Sequence, residues 1–429
     1  MTTSADDALF LPSRADAQPD EIDAATTPAN PERREQIGTD WLQQIKPIFI
    51  NLVFPLLLAQ LAYSGIPDAD PRWFVVTALL PALWVAAPNR WWGGITFASY
   101  MLIVGRGIPD STAAFYADPA AYWTGVWMLA AIVGVQFAIG AGCWSKLHWR
   151  RIALVPALLL LWVINPIGFG NPLQSAGWLF PGGGGWGLIA TVLLMLMISV
   201  RWYAALIIPL LVLLYPHPEA PAATRPTKWH THNTEYRFGV GMETNVDRFA
   251  EYQRHRANLA LVRQAGHGIH LFPETVGGVW NNAARDLWMS ELHPGQTVLL
   301  GTYIPTPNGL INTVMQITSG YAMPQYQQRL PVPVVMWRPW EADSTRFLAS
   351  SFAGNPLIDG KPTAFLLCYE TLVAAPVLQS LLRPATDQPQ QLVSLSSVWW
   401  SPRYIKDAQA NAVRAWGNLY GIPFHMAFN

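Results

Sequence analysis

The distribution of apolar residues constrains this chain more than any other feature of its sequence. Residues 47–218 contain only eleven charged side chains, and they are divided into apolar runs, most of them close to the length that spans a bilayer. The runs cover residues 47–65, 73–88, 91–105, 121–143, 152–170, 186–200 and 202–215. The pattern predicts a membrane domain of about seven helices at residues 47–215.

Tryptophans at the ends of these runs support a membrane location. Trp91, Trp92, Trp123 and Trp186 lie beside short loops, where aromatic rings seat at the headgroup level of a bilayer. The alternative is a set of buried core helices in a large soluble domain. The length and number of the runs disfavour it.

The charges of the short loops predict an orientation, because Lys and Arg are retained on the cytoplasmic side. With a cytoplasmic N-terminus, the inner loops hold five basic and no acidic residues: Arg90, Lys146, Arg150, Arg151 and Arg201. Everything after Tyr215 is then periplasmic, in a multi-pass protein of the bacterial inner membrane. One alternative reverses this: residues 186–215 could form a single tilted helix, although Arg201 at mid-membrane would cost a few kcal/mol.

The rest of the composition excludes several classes of protein. Residues 1–46 hold nine acidic and four basic residues and little periodic apolar pattern, which predicts a disordered tail rather than a cleaved secretory signal. A net charge of zero gives no reason to expect direct nucleic-acid binding. Cys143 and Cys368 lie in different halves, so a disulfide framework is excluded.

After a predicted linker at residues 216–235, the pattern changes to strands that alternate with helices, which predicts an α/β domain at residues 236–429. Helical spacing is found at Arg248 to Ala265 and at Lys406 to Tyr420. Short apolar runs predict a strand start at Arg237 to Gly241 and strands at His270 to Phe272, Val298 to Ile304, Asn312 to Thr318, Ala364 to Cys368 and Leu392 to Leu395.

Two residues at strand ends stand out as candidates for chemistry. Glu274 follows one short strand and Cys368 ends another, and side chains at the carboxyl ends of strands face the crevice where α/β sheets hold ligands. A carboxylate in such a crevice can take the proton of a thiol, which then becomes a nucleophile. Taken alone, Cys368 would more often be a small core residue and Glu274 a loop cap.

These motifs resemble those of a known family. The multi-span half, the Pro-Glu strand end, the Asn-Thr strand, the Cys-Tyr-Glu and the Ser-x-x-x-Trp are similar to the apolipoprotein N-acyltransferases of the nitrilase (carbon–nitrogen hydrolase) superfamily. The domain order and the short C-terminal end are closer still to the TraB-type conjugal transfer proteins. The resemblance covers about residues 47–429.

The resemblance implies an αββα sandwich with a Glu-Lys-Cys triad, in which the cysteine carries an acyl group as a thioester. Glu274 would be the general base, Cys368 the nucleophile and Glu370 a second acidic residue. Asn312 and Trp400 match the Asn-Thr strand and the Ser-x-x-x-Trp, and are predicted to contact substrate.

The sequence departs from the family at the lysine. The aligned stretch Tyr326 to Pro333 puts Gln328 at that position, and a neutral amide supplies a hydrogen bond but no charge. Arg329 should point elsewhere as a strand or turn neighbour, and Lys361 is another possible substitute. The family's Ser-Asn-Asp-Ala-Trp becomes Ser396-Ser397-Val398-Trp399-Trp400, and the chain ends where the family continues with further strands.

Three hypotheses follow. The chain is a membrane-bound acyltransferase with a lipid donor, or an amidase on a small amide, or a catalytically weakened or silent envelope component of a conjugation apparatus. No cofactor or metal is implied: His230 and His232, or His267, His270 and Glu274, have spacings that a metal could use, but spaced histidines in a linker are usually solvated. The expected partners are membrane lipid and other conjugation or envelope proteins.

Overall fold

A computed structural model of the protein describes residues 43–64, 70–164, 169–214, 228–237, 247–333, 335–337 and 347–429. Lys46–Asn429 forms one compact unit. Most of the predicted tail, and residues 215–227 of the segment predicted as linker, lie outside the described residues.

The N-terminal half is helical, with nine helices between the tail and the α/β domain. They are α1 (Gln43–Ala62), α2 (Pro71–Val85), α3 (Arg90–Val104), α4 (Ile108–Tyr116), α5 (Ala121–Gly142), α6 (His148–Ile164), α7 (Pro172–Leu179), α8 (Gly184–Val200) and α9 (Trp202–Leu214). Helical structure is therefore present in every predicted apolar run.

The described helices provide fewer candidate membrane spans than the sequence predicted. Within the described residues, α1 and α5 are long and apolar enough to cross a bilayer, and α7 with α8, which are bent by 115°, would make a third span if the pair crosses as one. The other described helices are shorter because 3-10 turns, prolines and loops interrupt the runs. By length and composition there are two or three candidate spans, and the number of crossings stays a prediction.

Arg201 separates α8 from α9. Its backbone is extended, with φ −136° and ψ 96°, and its side chain is exposed. Residues 186–215 are therefore not one continuous helix. The periplasmic placement of the C-terminal domain was derived from seven crossings, and it stays a prediction.

The C-terminal half contains two sheets. The first has the order β1-β2-β3-β4-β5 and comprises β1 (Trp229–Thr231), β2 (Gly268–Leu271), β3 (Gln296–Thr306), β4 (Gly309–Ile317) and β5 (Ala322–Gln327). The second has the order β6-β7-β8-β9 and comprises β6 (Leu357–Ile358), β7 (Lys361–Leu367), β8 (Gln391–Ser396) and β9 (Phe424–Phe428). β1 falls inside the predicted linker, because its Trp-His-Thr backbone pairs in parallel with β2.

The two sheets share one core, and helices cover their outer faces. Side chains from β2, β3, β4 and β5 meet those of β6, β7, β8 and β9 in a single apolar cluster. The outer face of the first sheet packs against α10 (Arg248–Ala265) and α11 (Asn282–Glu291). The outer face of the second packs against α12 (Ala374–Leu381) and α13 (Arg403–Tyr420). The layers thus run helix, sheet, sheet, helix, which agrees with the predicted α/β domain, and the nitrilase-like fold stays a prediction.

The helical half and the α/β half are joined through α13. Its apolar face enters the same buried cluster as α2, α3, α6 and α8. Gly177 of α7 lies so close to the Ala415 carbonyl that it leaves no room for a Cβ, and the Tyr404 hydroxyl accepts a hydrogen bond of 2.5 Å from the Gly107 amide. The second sheet therefore rests on the membrane helices, which positions the carboxyl end of β7 at this junction.

Candidate active site

The carboxyl ends of β2, β7 and β8 bring the candidate residues together. Glu274 follows β2, Cys368 follows β7 and Ser397 follows β8. Parallel strands end at a common edge, where α/β proteins place their ligands. Glu274 and Cys368 are 2% and 3% exposed, so both groups are withdrawn from bulk water.

Glu274 is held by two amides. The Asn312 side chain donates to Oε1 at 2.5 Å and the Ser397 backbone N–H donates to Oε2 at 2.9 Å. Gly301 allows this approach, because a Cβ there would lie 2.5 Å from the Glu274 Cα. Burial raises the pKa of Glu274 to about 7, although its hydrogen bonds with Cys368, Asn312 and Ser397 oppose the rise.

Cys368 lies beside this carboxylate in a strained backbone conformation. Its φ is +47°, which is uncommon for a residue with a Cβ and which occurs at functional turns. Burial raises the pKa of the thiol well above its usual value, and the negative charge of Glu274 raises it further. The resting pair is therefore a neutral thiol hydrogen-bonded to a carboxyl group that ionises near neutral pH.

Gln328 occupies the position predicted for the lysine, but its side chain is engaged with other groups. Its Oε1 accepts from Asn312 at 3.1 Å, its Nε2 donates to the Leu367 carbonyl at 3.4 Å, and it is fully buried. The other candidates do not replace a lysine either. Arg329 points, as expected, towards Gln379 and Ser380 of α12, and Lys361 begins β7 at the end opposite Cys368, roughly 23 Å away along an extended strand.

The charges around the pair are acidic. Among the described residues, the charged side chains that shift the pKa values of Glu274 and Cys368 are Glu370 and Glu274, respectively. A thiolate at Cys368 therefore gains no stabilisation from these charges.

Glu370 is occupied by hydrogen bonds, and its predicted catalytic role stays a prediction. Its carboxylate accepts from the backbone N–H groups of Leu367, Arg329 and Leu330 and from the Tyr326 hydroxyl, at 2.7–3.1 Å. These bonds fix the backbone on either side of the thiol. We therefore describe Glu370 as a positioning residue.

Two cavities meet at Cys368. The smaller chamber, of about 90 Å³, contains Asp247, Glu251, Arg254 and Thr275 in addition to the Glu274–Cys368 pair, and the rest of its wall is largely apolar. The apolar chamber, of about 310 Å³, runs between α13 and the membrane helices. Its walls include Val104, Ile108, Thr112, Met128, Ala131, Ile132, Leu372, Ile405 and Ala408.

Trp400 lies where the two chambers join, and its predicted contact with substrate stays a prediction. Its ring packs edge-on against Phe115 of α4, with centroids 5.9 Å apart, and both rings line both chambers. The Phe115–Trp400 pair and Cys368 thus lie between the apolar chamber and the smaller one.

Several residues at the site were not predicted. Ser397 holds Glu274, Phe115 closes the junction, and Gln409 of α13 reaches the Cys368 sulfur. Gln409 alone had a recognisable sequence signal, because it interrupts the buried face of a helix that otherwise shows Ala408, Ala412 and Val413.

The histidines form a stack rather than a solvated linker. His230, His270 and His232 lie side by side, with neighbouring centroids 4.8 and 5.4 Å apart. Burial and mutual repulsion lower the pKa values of His232 and His270 to about 4. In the described part of the chain, no group of three or more His, Cys, Asp or Glu side chains is arranged to hold a metal ion.

Comparison with known proteins gives the chain a family. No protein-family model matches it. It is 30% identical over 401 residues to the conjugal transfer protein TraB of Agrobacterium fabrum, an alignment that covers 87% of this chain and 92% of that protein. It is 29% identical over 371 residues to the probable conjugal transfer protein TraB of Sinorhizobium fredii, covering 82% of this chain and 92% of that protein. The chain therefore belongs to the TraB family of conjugal transfer proteins.

Proposed function

We propose that this protein is a membrane-embedded component of conjugal plasmid transfer, in which Cys368 accepts an acyl group from a membrane lipid as a thioester. The conjugation role is supported by the names of its relatives. The acyl-transfer role is supported by one observation above all: a buried thiol–carboxylate pair lies where an apolar chamber from the helical half meets a smaller chamber that contains charged side chains.

The apolar chamber favours a lipid donor over a small amide. Its volume of about 310 Å³ falls within the range of small-molecule sites. Each methylene of an acyl chain that enters contributes about 0.8 kcal/mol, whereas a small polar amide gains nothing from such walls. The amidase hypothesis therefore has less support than acyl transfer.

The proposed acylation needs no cofactor. Glu274 takes the thiol proton, and the sulfur attacks the ester carbonyl of the donor, so that a C–S bond forms and the carbonyl electron pair moves to oxygen. Collapse of this intermediate breaks the ester C–O bond, and the proton on Glu274 passes to the departing alcohol. Glu274 is suited to both transfers because its pKa of about 7 lies near the working pH.

A second hypothesis is retained because of Gln328. An envelope component that has lost catalysis would keep the fold but not the positively charged lysine of the triad. Gln328, at the position predicted for that lysine, provides no charge. The nitrilase-superfamily assignment is likewise a prediction. The two hypotheses differ in whether the thiol of Cys368 matters to transfer.

Plasmid transfer from donor cells tests this directly. Donors that lack the chain would be complemented with the wild type, with Cys368→Ala or with the matched control Cys143→Ala, and protein levels in the membrane would be compared. The acyl-transfer proposal expects Cys368→Ala to transfer at the frequency of the deletion and Cys143→Ala at that of the wild type. Wild-type transfer by Cys368→Ala would instead support the silent component.

A further inference from the structure

We propose that Gln409 is a catalytic hydrogen-bond donor to the Cys368 sulfur, which takes the place left open by Gln328. The inference rests on the proposed function for its catalytic meaning. The hydrogen bond itself, which stabilises the thiolate of Cys368, does not depend on an acyl donor.

The first observation is the contact itself. The Gln409 Nε2 lies 3.7 Å from the Cys368 Sγ, within the range of a hydrogen bond to sulfur. On the other side, the Sγ lies 3.7 Å from the Ser397 carbonyl oxygen, to which a thiol can donate. Hydrogen bonding with the Ser397 backbone and with the Gln409 side chain each lowers the pKa of the thiol. Gln409 is the side-chain donor of the two.

The second observation is the surroundings of Gln409. It is 2% exposed on α13, and its neighbours Ile405 and Ala408 form part of the apolar chamber wall. Its Oε1 is buried and has no hydrogen-bond partner among the described residues. An amide in an apolar wall with an unpaired oxygen is unfavourable for packing, so a Leu or Met would be expected there if the position served only to fill space.

The third observation is that Gln328 cannot supply the same contact. Its Nε2 donates to the Leu367 carbonyl and its Oε1 accepts from Asn312. One end of this amide is held by β4 of the first sheet and the other by β7 of the second. Gln409 reaches the sulfur from α13, the helix that joins the helical half to the second sheet.

In the acylation step, the Gln409 N–H stays on the sulfur as the proton moves to Glu274. The contact favours the thiolate, as its lowering effect on the thiol pKa indicates. When the C–S bond forms, the negative charge leaves the sulfur and the contact weakens. Gln409 therefore assists proton removal and holds the sulfur at the entrance of the apolar chamber.

The test is the pH profile of Cys368 alkylation by iodoacetamide, a small uncharged reagent, in the full-length protein. Peptide mass spectrometry follows Cys368 and Cys143 separately, so that Cys143 reports on general changes of the protein. The variants are Gln409→Met, which keeps the volume without a donor, and Gln409→Asn, which keeps the amide but shortens its reach. Gln391→Met is the matched control, because Gln391 is also a buried glutamine but bonds Thr363 and Ile358.

In both Gln409 variants, iodoacetamide should alkylate Cys368 about three- to tenfold more slowly at every pH below the thiol pKa. A rise of one unit in the thiol pKa lowers the thiolate fraction tenfold. Gln391→Met should follow the wild type. Wild-type Cys368 profiles in both Gln409 variants, with Cys143 unchanged, would overturn the proposal. If the profiles shift but no acyl-enzyme ever forms, the proposed acyl transfer fails while the assignment of Gln409 to the thiol stands.

Discussion

The pH dependence of acylation offers a quantitative test of Glu274 as the base. Its pKa is raised to about 7 by burial, so the carboxyl is about one-tenth ionised at pH 6 and about nine-tenths ionised at pH 8. Only the ionised form can accept the thiol proton. The rate of acyl-enzyme formation should therefore rise about tenfold between pH 6 and 8 and then level off.

Glu274→Gln should slow acyl-enzyme formation and abolish the plateau of its pH profile above pH 8. Loss of a general base lowers a rate by about a hundredfold to ten-thousandfold. The residual reaction depends on free thiolate, whose fraction rises tenfold with each pH unit while the pH stays below the raised thiol pKa. The variant should thus react slowly, with a rate that keeps rising where that of the wild type is flat.

The assay is single-turnover acylation of the detergent-solubilised protein by p-nitrophenyl octanoate, quenched in acid and read by intact mass. Cys143→Ala serves as the reference background, so that acylation there cannot contribute. A wild-type rate that rises tenfold per pH unit through pH 9, or a Glu274→Gln variant that keeps the plateau, would refute Glu274 as the base.

Three further perturbations follow from the same geometry. Gln328→Lys should raise the single-turnover rate by about tenfold or more, since it places a cation near an acidic site; an unchanged or lower rate in a folded protein would show that the neutral amide is not what limits the site. Ala408→Phe fills part of the apolar chamber. It should slow acylation by the octanoyl ester at least tenfold and change acylation by the acetyl ester by no more than about twofold. Equal effects on the two esters would argue against an acyl-chain site. Gly301→Ala forces a Cβ to within 2.5 Å of the Glu274 Cα. It should cost about 1–3 kcal/mol of stability, measured as a lower melting temperature, and should slow acylation in the protein that remains folded. A variant with wild-type stability and acylation rate would contradict the close packing.

The sequence predicted the α/β half of the fold well, because its strongest patterns are local. The span Arg248–Ala265 is helical as predicted, and the predicted strands at His270, Val298, Asn312, Ala364 and Leu392 are present with longer bounds. Four strands, β1, β5, β6 and β9, were not predicted. β1 is only three residues long, and β5 contains Pro324 and exposed positions, so neither carries a period-two apolar pattern.

The count of membrane crossings could not be read from hydropathy. An apolar run shows that a segment avoids water, but a helix buried against other helices satisfies that condition without crossing a bilayer. Trp84 in α2 and Tyr100 in α3 are fully buried within the helical half. Both helices therefore contribute buried side chains to the core of the helical half.

The site was predicted in part. Strand ends predicted that Glu274 and Cys368 lie close together, and the family resemblance implied that Asn312 and Gln328 lie beside them. The contacts agree with this proximity. The positioning role of Glu370 could not be predicted, since the backbone N–H groups that it binds have no sequence signature. Gln409 lies 41 residues from Cys368 in sequence, and only the packing of α13 against the sheet brings them together.

The central claim is that Cys368 carries an acyl group taken from lipid. The most direct measurement is the intact mass of the full-length protein reconstituted in phospholipid vesicles and denatured in acid. The account predicts an added mass equal to one fatty acyl group, mapped to Cys368, released by neutral hydroxylamine and absent from Cys368→Ala. An unmodified mass under these conditions, or an adduct that persists in Cys368→Ala, would contradict it.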